Sequence, residues 1–247
     1  MARKRTERMT KKTPKKPKYK RQVRKKEMPL YAYVEERAKR IAREIASHIR
    51  ESTLDEGGII FVHGPHYSGK TSVGCGLDES IDPLRRFVRG QPRADDRPDV
   101  LEGFFYKRKD GSKCPAISFS TKREIEQLFD EHEIVVMDYV QFIPYELQSF
   151  FLRELDDFVE RGGWFIALGL LFNSLRNEFL LSFVIRQKAV KEYKLTTTCQ
   201  QCGRRNATLT QRLVDGRPPN FEDPELVPPS DKVVYEPRCE DCHVVIT

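Results

Sequence analysis

Apolar residues recur along this chain with two different periods, and the switches between them outline a fold. From Tyr31 to about Ser52 they fall at Val34, Ala38, Ile41, Ile45 and Ile49. Steps of three and four place them on one side of an amphipathic helix whose outer face is charged. Gly57-Gly58 breaks that helix, and Ile59-Ile60-Phe61-Val62 reads as a short buried strand. Ile134-Val135-Val136-Met137 is a second uninterrupted apolar run, as a parallel strand shows when both its faces are covered. Helical spacing returns over Tyr145–Arg161, through Leu147, Phe150, Phe151, Leu155, Phe158 and Val159. After Gly162-Gly163, Trp164–Leu168 reads as a third strand. Strand, helix and strand in this order predict an α/β core with a parallel sheet and right-handed crossovers.

The stretch from about Asp78 to Ser120 is less regular, with only Phe87-Val88 and Ala116–Phe119 suggesting strands. After Leu195 the pattern changes to short β-like pieces, Pro-rich loops and paired cysteines. The expected organisation is therefore a tail over 1–30, a helix over 31–56, an α/β core over 57–195 and a small domain over 196–247. No apolar run approaches the roughly 20 residues that a membrane span needs, and no signal-peptide pattern opens the chain. These features predict a soluble, cytoplasmic protein.

Composition changes this picture only in its charge. With 38% hydrophobic and 33% charged residues over 247 positions, the chain can bury a real core. It fits neither a collagen-like repeat, nor a disulfide-dense miniprotein, nor a wholly disordered chain. The formal net charge of +7 is uneven: residues 1–30 hold 14 Lys/Arg against 2 Asp/Glu, leaving the rest mildly acidic. Self-repulsion and the lack of apolar residues predict that this tail stays unfolded. Its basic residues, between positions 3 and 26, suit a nucleic-acid or polyanion arm, an address signal, or a solubilising extension. Charge alone does not separate these.

Two motifs carry chemistry. Gly64-Pro65-His66-Tyr67-Ser68-Gly69-Lys70-Thr71 follows a strand and satisfies G-x-x-x-x-G-K-[ST]. The glycines let the backbone wrap a phosphate, and successive N–H groups with a helix start supply the field. Lys70 would reach the outer phosphates and Thr71 would ligate Mg²⁺. Asp138, ending the second apolar strand, is placed to share that Mg²⁺, although a strand-ending Asp also caps turns. Cys199-x-x-Cys202 and Cys239-x-x-Cys242 form two knuckles, and four thiolates suit a closed structural Zn²⁺ site. Cys75 and Cys114 lack such spacing and read as isolated structural thiols. His243 follows the last cysteine and reads as a neighbour of the metal rather than a ligand.

Together these features resemble the thymidine kinase family of the cellular and poxviral type, over roughly residues 58–247. Gln91-Pro92-Arg93-Ala94-Asp95-Asp96-Arg97 is similar to that family's Lys-Pro-x-x-Asp-x-Arg segment, and Asp138-Tyr139-Val140-Gln141-Phe142 to its Asp-Glu-x-Gln-Phe segment. Lys194-Leu195, Cys199-x-x-Cys202-Gly203 and Ala207-x-x-Thr210-x-Arg212-Leu213 resemble its zinc ribbon. Tyr235-x-x-x-Cys239-x-x-Cys242-His243 resembles the lasso that folds over the nucleoside. The resemblance implies a P-loop kinase core with an appended zinc ribbon, using ATP, Mg²⁺ and structural Zn²⁺. It implies phosphorylation of the 5′-hydroxyl of thymidine or a related deoxynucleoside for DNA precursor synthesis, and a homotetramer. It also implies that Arg97 stabilises charge on the moving phosphoryl group. Gln141, Phe142, Leu170 and Phe179 would line the base site, and main-chain groups near Tyr235 would hold the base.

The chain departs from the family at several of these positions. Tyr139 stands where the family has its general base, a Glu, and a tyrosine of pKa near 10 is a poor base at neutral pH. Asp95 or Asp96 is the nearest carboxylate by motif that could substitute. Leu171 replaces an Asp, Ser174 an aromatic residue and Gln91 a Lys. Two functions therefore stand side by side: an active deoxynucleoside kinase, or a catalytically impaired relative. The latter would bind nucleotide and act as a structural or nucleic-acid-associated factor through its tail.

Overall fold

A computed structural model describes residues 28–53, 55–77, 80–83, 85–93, 105–107, 113–225, 227 and 230–246. Residues 1–27, with all of the tail's basic residues, and the segment containing Asp95, Asp96 and Arg97 lie outside the described residues.

The apolar periodicities become the elements they predict. Helix α1 (Met28–Glu51) is followed by strand β1 (Gly58–His63) and helix α2 (Lys70–Gly76). Strands β2 (Phe87–Pro92), β3 (Phe105–Lys107), β4 (Lys113–Pro115) and β5 (Ile117–Phe119) come next. Helix α3 (Lys122–Asp130) begins at a capping box, in which the Thr121 hydroxyl accepts from Glu124 N–H and the Glu124 carboxylate reaches back. The sequence shows this as Thr-x-x-Glu. Strand β6 (Ile134–Asp138), helix α4 (Tyr145–Glu160), strand β7 (Trp164–Gly169), helix α5 (Leu180–Lys188) and strand β8 (Lys191–Lys194) complete the core.

Six strands form one parallel sheet in the order β5-β2-β6-β7-β1-β8. Every residue of β1, β6 and β7 is buried, which explains their unbroken apolar runs. Alternate residues feed two cores. Ile59, Phe61, Val135, Met137, Phe165 and Ala167 face a layer with α3, α4 and α5. Ile60, Val62, Val136, Ile166 and Leu168 face Ala38, Ile41, Ala42, Ile45 and Ile49 of α1, and Val73 of α2. Helix α1 thus packs against the sheet's second face. The close turn from α4 into β7 needs Gly163, where any Cβ would fall 2.5 Å from the Phe158 ring.

Beyond β8, strands β9 (Leu209–Val214) and β10 (Val233–Arg238) pair antiparallel. The cysteine knuckles lie just before β9 and just after β10. Among the described residues no helix is long and apolar enough to cross a membrane.

One expectation is overturned. Cys75 of α2 and Cys114 of β4 are joined by a disulfide, with Cα atoms 5.9 Å apart. Their separation of 39 residues hid the pairing. The fold closes it by laying the β3–β4 hairpin beside α2. Arg89 reinforces the junction, donating to the carbonyls of Gly74 and Pro115 at 3.0 and 3.3 Å.

Candidate functional site

Asp138 and the loop after β1 sit at the carboxyl ends of two strands that flank β7, the edge where open α/β sheets bind ligands. Loop 64–69 leads from β1 into α2. Gly69 has φ 95°, a left-handed conformation that favours glycine, and lies against Val34 of α1. Lys70 is buried and folds back, its ammonium donating to the carbonyls of Gly64 and Pro65 at 2.7 and 2.8 Å. Burial pushes it down to about 8, with the Asp138 carboxylate opposing that shift. The Thr71 hydroxyl donates to Asp138 Oδ2 at 2.7 Å, and Tyr139 N–H donates to Oδ1 at 3.0 Å. Lys70, Thr71 and Asp138 are therefore brought together as one cluster: an ammonium beside a hydroxyl and a carboxylate. That donor set, all oxygen on the hydroxyl–carboxylate side, is the kind a hard cation such as Mg²⁺ takes.

Tyr139 adopts φ 57°, ψ 42°, a left-handed conformation unusual for a bulky residue. Its ring stacks on Phe142, 5.6 Å between centroids and 4° between planes. A backbone held in this sparsely populated region next to the cluster is a feature that concentrates at functional sites.

Of the residues expected around a nucleoside base, Gln141, Leu170 and Phe179 are linked through backbone contacts, while Tyr235 stacks on His66. Gln141 is buried and its side-chain oxygen accepts Leu170 N–H at 3.2 Å, while its amide nitrogen has no hydrogen-bond partner. A buried, unsatisfied donor is costly unless something fills it. Phe179 is buried, its N–H bonded to Leu171 O at 2.9 Å. Leu171 packs into the apolar core, a place where an Asp would need a partner. Ser174 is buried with an unpartnered hydroxyl. Gln91 is enclosed in the sheet, donating to Ser118 Oγ at 3.2 Å. A cleft of about 290 Å³ opens on the ribbon side of the loop, lined by Gly64, Pro65, Leu170, Leu195, Leu209 and Glu240 among others. Leu170 is the only expected base-site residue that lines it; Tyr235 instead stacks on His66.

The four cysteines converge. The sulfurs of Cys199, Cys202, Cys239 and Cys242 all lie within 4.8 Å of one another. Hydrogen bonds from Arg204 pull the Cys202 thiol down to about 6, whereas burial and its neighbours push Cys242 up to about 12. Four thiols at this spacing fit a tetrahedral zinc ion. His243 stands aside, as its ring nitrogens meet Arg176 Nε and Thr210 O, each at 3.2 Å. Burial and the nearby Arg176 hold it down at about 4 and so uncharged.

Residues that carry no motif tie this site together. Arg176, at φ 69°, reaches the carbonyls of Glu240 and His243 and so binds the loop after β7 to the second knuckle. Arg37 of α1 binds the phosphate loop to the start of the ribbon. Neither has a motif; only a helical stripe marked α1 as structured.

A thymidine kinase of Thermococcus kodakarensis is 27% identical over 197 residues, covering 78% of this chain and 97% of that protein. Among solved structures, domain III of the Thermotoga maritima replication initiation protein DnaA superposes with a TM-score of 0.41 at 14% identity. That match covers 67% of this chain and 62% of the other. The flagellar accessory protein FlaH of Methanocaldococcus jannaschii gives a TM-score of 0.34 at 11% identity, over 60% of this chain and 75% of its own. The family model for thymidine kinase matches residues 57–243, from the Gly57-Gly58 break to the histidine after the last knuckle. The chain belongs to the thymidine kinase family.

Proposed function

We propose that the protein transfers the terminal phosphate of ATP to the 5′-hydroxyl of thymidine or a related deoxynucleoside. The observation that carries this reading is the Thr71–Asp138 contact at 2.7 Å beside Lys70. In this reading residues 57–195 work as the kinase core and 196–247 as the ribbon that encloses the nucleoside. The N–H groups of Gly69, Lys70 and Thr71 and the Lys70 ammonium hold the phosphates of ATP. Thr71 and Asp138 would hold Mg²⁺, which neutralises charge between the outer phosphates when bound. Phosphate binding would draw Lys70 away from the carbonyls of Gly64 and Pro65 and restore its charge. Gln141, Leu170 and Phe179 would face the base, with the free amide donor of Gln141 offered to a base carbonyl. Arg97 would meet the transferred group. The four cysteines would hold Zn²⁺ as a structural brace for β9 and β10.

Tyr139 favours a second reading, a lapsed kinase that binds nucleotide and acts through its basic arm. Losing a general base costs about 10²–10⁴-fold, although phosphoryl transfer leans more on positioning and metal than on proton removal. Labelled phosphate transfer from ATP to thymidine, deoxyuridine and deoxycytidine decides between the two, comparing the native chain with Tyr139→Glu. Turnover by the native chain supports the kinase. Turnover by Tyr139→Glu alone identifies a lapsed kinase, and ATP binding without transfer by either form rejects the enzyme.

A further inference from the structure

Helix α1 precedes the stretch that the family model matches, yet its side chains grip the phosphate loop. Val34 packs so closely that a Cβ on Gly69 would lie 2.7 Å from its methyl group. Ser72, in the first turn of α2, donates its hydroxyl to the Glu35 carboxylate. Arg37 places one guanidinium nitrogen between two carbonyls, Ser68 O at 2.8 Å and Thr196 O at 2.7 Å. Ser68 belongs to the loop, and Thr196 opens the segment that runs to the first cysteine knuckle. One turn earlier, the Tyr33 ring has the guanidinium groups of Arg37 and Arg205 each 5.6 Å from its centre. The helix therefore touches the knuckle as well.

A peptide unit is planar, so fixing a carbonyl on one side fixes the N–H of the next residue on the other. The Ser68 carbonyl shares its peptide with Gly69 N–H, one of the loop donors assigned above to phosphate. Without a partner that peptide is free to turn, because glycine offers little steric resistance. A charged donor on the carbonyl holds it in place more strongly than a neutral one.

The geometry points to Arg37 as a positioning residue for nucleotide binding, setting the Ser68–Gly69 peptide and tying the phosphate loop to the ribbon through Thr196. It touches backbone carbonyls and no reacting atom. The inference rests on the reading of Gly64–Thr71 as a nucleotide loop and adds an element that precedes the family match.

The test measures affinity of the full chain for a fluorescent ATP analogue with Mg²⁺, with a thermal melt of each variant alongside. Arg37→Met is expected to weaken binding roughly ten- to a hundredfold, the worth of a charge-assisted hydrogen bond. Arg37→Lys keeps the charge and recovers part of that loss. Arg40→Ala, on the exposed face where Arg40 pairs with Glu44, binds as the native chain does. Native affinity in Arg37→Met, even with a lowered melting temperature, overturns the inference and leaves Arg37 a mere staple. Should Arg37→Met fail to fold, Arg37→Lys decides: weakened binding supports the positioning role, and native affinity rejects it. A native chain that binds no ATP analogue sinks the nucleotide reading and this inference with it, whereas binding indifferent to Arg37 sinks the inference alone.

Discussion

The imidazole of His66 lies against the phenol ring of Tyr235, 5.2 Å between centroids and 15° between planes. His66 N–H also donates to Thr210 Oγ1 at 3.1 Å. One residue of the phosphate loop is thus held by both strands of the ribbon hairpin. Tyr235→Ala removes the stack, worth about 0.5–1.5 kcal/mol. Steady-state kinetics should show KM rising for both ATP and nucleoside, because the loop and the ribbon loosen together. Tyr235→Phe, which keeps the ring and loses the hydroxyl contacts to Val227 O and Arg212, should stay near native. A rise confined to one substrate would show that the stack does not couple them.

Lys70 gives a pH signature. It sits at about 8 against an ordinary 10.5 because burial disfavours its charge. Between those values the unfolded chain binds more protons, so this group's contribution to stability increases as pH rises through the window. Phosphate binding needs the charged form. Nucleotide affinity should therefore fall as pH climbs past about 8, and binding there should take up a proton. Calorimetry in two buffers of different ionisation enthalpy reads that uptake, and Lys70→Met should abolish it. Binding with no proton exchange would contradict the burial argument.

The four-sulfur cluster should carry about one zinc ion per chain, measurable by elemental analysis. Removing it with a strong chelator leaves the ribbon joined to the core by contacts such as those of Arg37, His66 and Arg176. The ribbon should then melt first, well below the core, and readdition of zinc should restore a single transition. Unchanged melting after complete metal removal would show that the hairpin stands without it.

The Cys75–Cys114 bond closes a loop of 39 residues. By chain entropy that is worth up to about 4 kcal/mol, so reduction or Cys75→Ser should lower the melting temperature by several degrees. Alkylation of the native chain, followed by mass analysis, should leave these two cysteines unlabelled until a reductant is added. Ready labelling without reductant would deny the bond.

The core was legible because its signals are local or periodic. Ile134–Met137 could be read as a doubly covered strand, and Gly64–Thr71 carries its chemistry in eight adjacent residues. The cysteine pairs announce a metal by spacing alone. What escaped detection depends on contacts that spacing does not encode. Strand β8, Lys191–Lys194, is polar because it is an edge strand whose outward residues meet solvent, so no apolar run marks it. The Cys75 partner arrives on a hairpin that interrupts the β2-to-β5 connection. Arg37 looks like any charge on the outer face of an amphipathic helix until the fold lays that helix across the loop. Tyr139 was visible as a substitution, but its left-handed backbone was not.

Strand order has one more effect. The strands that end in the loop and in Asp138 are neighbours of β7 on either side, all three enclosed by helices. Amide protons in such strands exchange with solvent only when the molecule opens as a whole. The spacing between the carboxylate and the loop is therefore inherited from the last part of the protein to come apart.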